Sequence, residues 1–374
     1  MRKTKEQLEK IKKKYNVSEL WSWSKYNTYK TDPYGYLLKY ILKEKETKAS
    51  IYGVSGGNVH DIIESFYLKE RNFDDLLEAY EDKLLEMNLA NLKYNRKDKE
   101  ANKKIASKYE NNIREFFKHH EPIESKVITE QFVTIKVGNN VFQGYIDFVY
   151  KDEDGFYNII DWKTSTIYVG KKIDKEKGQL VLYAESLIQR GIPIDKIKIK
   201  WNFVKYCTIK QELLTKGKTR NKNCLRTEWV KGIEPTLRKW FTKLQYDPIE
   251  TEMFISEAIE NNNLDNMPDE IKGKFEYHDC YVEIPLNQEV IAELKRDIEN
   301  TIHTIRAKEV EYQNTKDDKL FWTEIDKSNE FFFANLCGYS PNQHKPYKAY
   351  LDELNSMRSQ KEETKDDLDW LNEI

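Results

Sequence analysis

The centre of the chain alternates apolar and polar residues with the period of β-strands, whereas both flanks repeat with the period of helices. Three central segments have the β-branched and aromatic composition of strands: 126–137, 141–151 and 156–164. An amphipathic helix over 176–190 and an alternating strand over 196–206 follow them. This βββαβ order predicts an α/β fold with a central mixed sheet, flanked and extended by helices.

Helical periodicity predicts further elements on both sides of this centre: 3–14, 73–118, 228–246, 252–261 and 287–310. The glycines of YGVSGGNVHDIIESFYLK predict a turn that opens a helix at about Asn58. We expect four regions along the chain: an N-terminal helical region over 1–125, a core over 126–210, a basic loop with a C-terminal helical region over 211–350, and an acidic tail over 351–374.

Two aspartates and a lysine interrupt strands that otherwise have the composition of a core. Asp147 and Asp161 lie on the two strands joined by the acidic turn DEDG, and Lys163 projects from the same face as Asp161. Two neighbouring carboxylates repel each other and need a cation, and hard oxygen ligands suit Mg²⁺ or Mn²⁺. An ammonium beside them can orient an attacking water. The pattern predicts a metal site for phosphodiester hydrolysis; the alternative is a surface hairpin with solvated charges.

The motif and its surroundings resemble the PD-(D/E)XK nucleases, in the form of the RecB-type exonuclease family. GYID ends at Asp147, and DWK begins at Asp161 after 13 intervening residues. Ile146 stands where the name of the motif has proline, a departure that this family shares. GGNVHDIIESFY resembles the upstream helix of the family, GQLVLYAESL its Gln-x3-Tyr helix, and SWSKYNTYKTDPYGYLLKYI its N-terminal segment. The resemblance covers about residues 20–210, and a weaker resemblance occurs near residues 331–350.

The resemblance implies a restriction-endonuclease-like core and a Mg²⁺- or Mn²⁺-dependent deoxyribonuclease. The favoured form is an exonuclease that acts on linear DNA in replication, recombination or repair. It implies that the metal ligands are His60, Asp147, Asp161 and the Trp162 carbonyl. It also implies that Lys163 orients the water and that Gln179 and Tyr183 position the DNA. Glu130 and Glu64 are candidate supporting acids, although each is as readily explained as a surface charge.

The cysteines argue against a cofactor that relatives of this family often carry, a four-cysteine iron–sulfur cluster. Asp32 stands where the first cysteine is expected, and only Cys337 remains in the C-terminal segment. The other cysteines, Cys207, Cys224 and Cys280, stand elsewhere in the sequence, and a cluster needs four ligands. We therefore expect no iron–sulfur cluster. A residual zinc site of Asp32, Cys337 and His344 stays open.

The charge pattern limits the partners. The net charge is −2, so nucleic-acid binding requires a local basic patch, and residues 205–243 contain eleven Lys or Arg against three Glu. We expect the segment TKGKTRNKN to be a loop whose Lys216, Lys218 and Arg220 contact DNA; a solvated loop is the alternative. Glu212 stands where a phosphate-binding loop needs glycine, so we expect no nucleotide. No apolar stretch reaches about 18 residues, so we expect no membrane span. The Lys-, Asn-, Ile- and Tyr-rich composition is typical of an AT-rich genome, and the expected location is the cytoplasm of a bacterium or phage-infected host.

Two further interpretations remain. A catalytically silent DNA-binding or scaffold protein could keep the fold, although intact Asp147, Asp161 and Lys163 argue against it. The last 14 residues, KEETKDDLDWLNEI, contain six acids and two lysines. This tail is expected to be mobile and to bind a replication or recombination protein, or to occupy the DNA site of its own chain.

Overall fold

A computed structural model describes residues 2–95 and 98–369. The chain folds as two compact units that each combine distant parts of the sequence. The first unit contains Ser55–Ile135 and Tyr145–Ile291. The second contains Arg2–Val54, Lys136–Gly144 and the residues from Ala292 onward. The four-region division expected from the sequence stays a prediction.

Seven strands form one mixed sheet: β1 Trp21–Ser22, β2 Val127–Val137, β3 Asn140–Lys151, β4 Tyr157–Lys163, β5 Ile197–Glu212, β6 Thr219–Leu225 and β7 Phe275–Ile284. Their order is β1-β3-β4-β5-β6, with β2 beside β3 and β7 beside β5. The pairs β1–β3 and β4–β5 are parallel, whereas β3–β4, β5–β6 and β5–β7 are antiparallel. The predicted fold class, a central mixed sheet flanked by helices, is confirmed.

The helices are α1 Lys5–Tyr15, α2 Trp23–Thr31, α3 Pro33–Tyr36, α4 Ile51–Tyr67, α5 Leu76–Leu89, α6 Lys99–His119, α7 Lys171–Glu176, α8 Gly178–Ile188, α9 Trp229–Lys243, α10 Pro248–Asn261, α11 Asp269–Lys272, α12 Gln288–Thr315 and α13 Lys345–Asp369. The second unit also contains two single π-helical turns, Leu37–Ile41 and Phe332–Leu336. Among the described residues, no helix is both long enough and apolar enough to cross a bilayer.

The prediction of a glycine-rich turn before Asn58 was wrong, because α4 already begins at Ile51. Helix propensity disfavours glycine by only about 1 kcal/mol per residue relative to alanine. Burial of Val59, Ile62 and Ile63 on one face of the helix outweighs that cost. The glycines therefore lie inside the helix that carries His60.

The prediction of a loop over TKGKTRNKN was wrong in its second half. Residues from Thr219 onward form β6, which pairs with the far half of β5 from Glu212 back to Tyr206. β5 is longer than the predicted 196–206 strand, and the unpredicted β7 pairs along its other edge. Cross-strand pairing, which local composition does not encode, decides this extension.

A buried aromatic core supports β4 in the first unit. Trp162 makes edge-to-face contacts with Phe116 of α6 and Phe148 of β3, with ring centroids 5.8 and 5.7 Å apart. All three side chains are almost fully buried. Aromatic pairs of this geometry contribute roughly 0.5–1.5 kcal/mol beyond the burial of their area. The face of β4 opposite Asp161 and Lys163 is thereby held rigidly.

The C-terminal segment continues as helix α13 to Asp369. The backbone of the expected acidic tail is therefore helical from 351 to 369. The last five residues of that tail, 370–374, lie outside the described residues.

Candidate active site

The paired strands β3 and β4 place Asp147 and Asp161 side by side. In their antiparallel register Phe148 lies opposite Ile160, so continuing the register by one residue places Asp147 opposite Asp161. Directly opposed side chains project from the same face of a sheet. The turn at 152–155 closes this hairpin, and the two acids meet as the sequence predicted.

Lys163, the last residue of β4, forms an ion pair with Asp161. Its Nζ lies 2.6 Å from Oδ2 of the carboxylate, whose side chain is only 5 % exposed. Burial alone lowers the pKa of Lys163, but the Asp161 and Asp147 carboxylates outweigh burial, so the pKa is raised above its ordinary value. The ammonium therefore stays charged at the edge of the sheet.

Helix α4 brings His60 to the end of β4. Nε2 of His60 lies 2.7 Å from the Trp162 carbonyl oxygen, and Nδ1 lies 3.8 Å from Oδ2 of Asp147. Gly56, one turn earlier, faces the same end of β4, where an added Cβ would lie 3.4 Å from the Thr164 hydroxyl. This is an ordinary van der Waals distance, so the backbone of α4 passes close to the end of β4 one turn before His60.

The surroundings of Asp147 raise the pKa of its carboxyl. Burial, followed by the Asp161 charge, raises its pKa from 3.8 to about 6, while His60 and Lys163 oppose the shift. A strongly shifted carboxyl with a specific charged neighbour is typical of functional sites. Two carboxylates and one ammonium leave this edge with an excess of negative charge that a cation can compensate.

Helix α8 contributes the predicted pair Gln179 and Tyr183. The Gln179 amide donates a hydrogen bond to the Tyr183 hydroxyl over 3.2 Å. Burial raises the pKa of Tyr183, and the Asp147 and Asp161 carboxylates raise it further. The phenol is therefore protonated and lies within the field of the two acids, although a role in DNA binding stays a prediction.

Glu64 and Glu130 also lie close to this site. The Thr129 hydroxyl donates to Oε1 of Glu64 over 3.4 Å. Burial and the charge of Glu130 raise the pKa of Glu64, and Glu130 contributes to the raised pKa of Asp147. Glu130 adopts a φ of 47°, an uncommon conformation for a residue with a side chain. Their supporting role stays a prediction.

A buried ionic network behind β4 was missed by sequence reasoning. The His120 ring contacts Trp162 edge to face at 5.4 Å and forms a hydrogen bond to the Asp279 carboxylate. The other oxygen of Asp279 pairs with Arg226, which is 1 % exposed. Removing one partner of such a buried pair typically costs about 3–5 kcal/mol. No local motif marks these residues, because each belongs to a different part of the chain.

The donors at this edge fit a divalent cation that prefers oxygen ligands. The ligands would be Asp147, Asp161, His60 and the Trp162 carbonyl, which combine two carboxylates, an imidazole and a peptide oxygen. The 2.7 Å between His60 Nε2 and the Trp162 oxygen is close to the roughly 3 Å that separates neighbouring ligands at metal bonds of about 2.1 Å.

The basic residues predicted to contact DNA lie far from this edge. Lys163 pairs with Phe203 in β5, and Arg220 pairs with Gln211, eight residues further along the same strand. At about 3.3 Å per residue the separation along β5 is roughly 26 Å. The structure therefore does not bring Lys216, Lys218 and Arg220 to the candidate active site.

The structure does bring together the three residues left open as a residual metal site. Asp32, Cys337 and His344 of the second unit are buried, and their ligand atoms all lie within 4.8 Å of one another. The other cysteines, Cys207, Cys224 and Cys280, are buried free thiols. One thiol at the cluster does not fit a four-thiolate iron–sulfur centre.

A mixed α/β sheet with two acids and a lysine at one edge is the arrangement of a hydrolytic nuclease. The sequence model of the PD-(D/E)XK nuclease superfamily matches residues 20–339, a range that includes Asp147, Asp161 and Lys163. The chain therefore belongs to the PD-(D/E)XK nuclease superfamily, whose members use divalent metal ions.

No curated protein matches the chain. Among solved structures it is similar to one titled "Crystal structure of SSO0001", with 14 % sequence identity, coverage of 52 % of this chain and 75 % of that chain, and a TM-score of 0.18. Such a low score supports no statement about the present chain.

Replacing Asp147 with Asn is expected to stabilise the metal-free protein at pH 8 by roughly 1–3 kcal/mol. The folded pKa of about 6 lies above the ordinary 3.8, so the folded state holds the proton more tightly than the unfolded state. The contribution of Asp147 to the stability therefore falls as the pH rises from about 4 to about 6, and Asn removes this loss.

Urea and thermal unfolding in EDTA at pH 4.5, 6 and 8 would measure this effect. Asp154→Asn, in the exposed turn of the same hairpin, is the matched control and should leave the pH slope unchanged. An Asp147→Asn variant that is less stable than the unaltered protein at pH 8 would contradict the assigned electrostatics.

Proposed function

We propose that this nuclease is a Mg²⁺- or Mn²⁺-dependent deoxyribonuclease, with an exonuclease that acts on linear DNA as its favoured form. The observation that carries the proposal is the convergence of Asp147, Asp161, Lys163 and His60 at one edge of the sheet. A scaffold protein has no need for a mutually repelling acid pair in which the Asp161 side chain is 5 % and the Asp147 side chain 26 % exposed, because such a pair destabilises the folded chain. A reaction that requires a bound cation explains the pair, because the cation would compensate the repulsion between the two carboxylates.

Each residue of the site has a role in phosphodiester hydrolysis. When bound, the divalent ion lowers the pKa of water and stabilises charge on the phosphate oxygens. Asp147 and Asp161 would hold this ion, and His60 with the Trp162 carbonyl would complete its protein ligands. The Lys163 ammonium, fixed by Asp161 at 2.6 Å, donates a hydrogen bond to the attacking water or to the phosphate.

Gln179 and Tyr183 orient the substrate beside the two acids. Tyr183 is only 6 % exposed, so its hydroxyl presents a fixed hydrogen-bonding group, and Gln179 keeps that hydroxyl in place. Glu64 and Glu130 support the same edge by adding negative charge around the ion. This arrangement is that expected of the RecB-type exonuclease family, to which the sequence motifs point.

The hairpin of β5 and β6 supplies a separate contact to the DNA backbone. Its tip, formed by residues 213–218, carries Lys216 and Lys218, and Arg220 follows on β6. All three side chains are exposed. By contrast, Lys210 and Arg238 of the same basic run are paired with acids, and Arg226 is buried. A separation of roughly 26 Å corresponds to about eight base pairs of duplex.

The proposed setting is DNA replication, recombination or repair in the cytoplasm of a bacterium or phage-infected cell. The abundance of Lys, Asn, Ile and Tyr in the sequence is typical of an AT-rich genome. The acidic C-terminal segment, six acids against two lysines over its last 14 residues, is proposed to bind a basic groove of a replication or recombination protein.

Lys163→Ala is expected to lower cleavage of linear DNA by about 10²–10³-fold, because it removes the charged donor at the reacting phosphate. The assay compares end-labelled single-stranded and double-stranded linear DNA with closed circular plasmid, in Mg²⁺, Mn²⁺ and EDTA. Lys171→Ala, an exposed lysine on the neighbouring α7, is the control and should retain full activity.

Metal-dependent loss of linear DNA that spares the circle would establish an exonuclease. Cleavage of the circle would establish an endonuclease at the same site. No cleavage by the unaltered protein with either metal would favour the scaffold interpretation and contradict the proposal.

Lys216→Gln combined with Lys218→Gln is expected to weaken DNA binding and to reduce the slope of log K against log salt by about 2, because each phosphate contact contributes about 0.9. Binding is measured in an Asp161→Asn background that cannot cleave. Lys231→Gln with Lys239→Gln, on exposed positions of α9, is the matched control. Equal losses for both pairs, or no dependence on duplex length beyond about eight base pairs, would contradict the hairpin contact.

Deleting residues 361–374 is expected to abolish co-purification of a replication or recombination partner, because the deletion removes most of the acidic residues of the tail. DNA affinity is measured in parallel. A rise in affinity would show that the tail competes for the DNA site of its own chain. Unchanged affinity together with unchanged co-purification would remove both roles.

A further inference from the structure

Asp32, Cys337 and His344 form a buried cluster in the second unit that the nuclease reaction does not use. Asp32 and His344 are 312 residues apart in the sequence. Asp32 is 3 % exposed, Cys337 is 6 % exposed, and His344 has no exposed surface. Folding therefore assembles a carboxylate, a thiol and an imidazole away from water, which is costly unless the cluster is compensated.

The side chains of the cluster face one another closely. Nε2 of His344 lies 3.0 and 3.1 Å from the two carboxylate oxygens of Asp32, so both oxygens face the ring nitrogen. The ligand atoms of the three residues, the Cys337 sulfur included, lie within 4.8 Å of one another. Among the residues that the structure describes, no other three His, Cys, Asp or Glu side chains meet as closely.

The surroundings hold these ligands in place. The Thr323 hydroxyl donates a hydrogen bond to Oδ1 of Asp32 over 2.7 Å. The rings of Tyr34 and Phe333 lie 5.0 and 5.2 Å from the His344 ring. Cys337 directly follows the π-helical turn Phe332–Leu336, and its amide donates to the Phe332 carbonyl. The ligands are thus fixed by neighbouring contacts rather than by solvent-exposed loops.

We propose that Asp32, Cys337 and His344 bind one zinc ion. A thiolate, an imidazole and a carboxylate are the ligand types that zinc takes in proteins, whereas thiolate does not suit Mg²⁺. The two oxygens of Asp32, both directed at the cluster, supply the remaining donor. A dipositive ion neutralises the Asp32 carboxylate and the Cys337 thiolate, so the buried cluster carries no net charge.

The proton balance of binding follows from the hydrogen bonds. The Tyr347 amide donates to Nδ1 of His344 over 3.2 Å, so without zinc the ring proton lies on Nε2 and faces Asp32. When zinc takes Nε2, that ring proton moves to Nδ1 and the Tyr347 amide loses its acceptor. The Cys337 thiol gives its proton to solvent. Binding therefore exchanges two hydrogen bonds, that of Nε2 to Asp32 and that of the Tyr347 amide to Nδ1, for the metal–ligand bonds, and it releases one proton per zinc.

The site differs in chemistry from the candidate active site. The active site presents oxygen ligands for an exchangeable hard ion, whereas this cluster presents a thiolate in a closed surrounding. Bound zinc would join the segment around Asp32 to the segment around Cys337 and His344 within the second unit. Its role is thus expected to be structural, independent of whether the chain cleaves DNA.

Metal content of the full chain tests the proposal without an activity assay. Protein purified without added metal, then dialysed against a weak chelator, is expected to retain one zinc per chain, and Asp161→Asn should retain the same amount. Replacement by Co²⁺ is expected to give a thiolate-to-cobalt charge-transfer band and the intense visible bands of a four-coordinate site. Cys337→Ser should lose these bands, and Cys280→Ser, at another buried cysteine, should keep them.

A second measurement avoids any variant that fails to fold. Alkylation of the unaltered protein, read by peptide mass spectrometry, is expected to modify Cys337 at least tenfold more slowly with zinc than after its removal. Stoichiometric zinc with a cobalt band that depends on Cys337 would support the proposal. Absence of zinc, a band that persists in Cys337→Ser, or alkylation of Cys337 that zinc does not change would overturn it and leave a hydrogen-bonded Asp32–His344 pair.

Discussion

Repulsion between two opposed carboxylates is the constraint on which the arrangement of the first unit depends. The register of β3 and β4 holds Asp147 opposite Asp161, and the burial of Asp161 with the partial burial of Asp147 limits the screening of the two charges by water. Lys163 compensates one of them. Burial and the Asp161 charge raise the pKa of Asp147, and the remaining negative charge gives this edge of the sheet an affinity for cations. Helix α4 adds the His60 nitrogen, and helix α8 adds the Tyr183 phenol, whose pKa is raised by burial and further by the two carboxylates.

A site of this kind requires a rigid support, because the folded chain must hold like charges together. Trp162 lies between Asp161 and Lys163 in sequence and faces the opposite side of β4, where it packs against Phe116 and His120. The ionic network of His120, Asp279 and Arg226 adds to this support. Asp279 lies on β7, and Arg226 lies in the turn that follows β6. Displacement of the carboxylates is therefore opposed by both apolar packing and buried hydrogen bonds.

The two units present different cation chemistry. Oxygen donors at an open edge of a sheet suit an ion that participates in hydrolysis and exchanges with solvent. The thiol, imidazole and carboxylate of the second unit are closed off from solvent and suit an ion that holds segments together. The single strand β5 links the candidate cleavage residues with the basic hairpin, so the distance between them is set by strand length rather than by a flexible linker.

The sequence by itself determined the strands of the central hairpin, the fold class and the pairing of Asp147 with Asp161, whereas His60, Gln179 and Tyr183 were named from the resemblance to the RecB-type family. It could do so because the alternation of apolar residues, the DEDG turn and the spacing of Asp147 and Asp161 are local features. Local composition misplaced the start of α4 and missed β7, because packing and strand pairing outweigh propensity at those positions. Tertiary structure alone decided that Arg226, Asp279 and His120 meet behind Trp162, and it brought together Asp32, Cys337 and His344, which the sequence had left open as a site. Asp279 is 53 residues from Arg226 and 159 from His120, and Asp32 is 312 residues from His344, so no periodicity along the chain encodes these contacts.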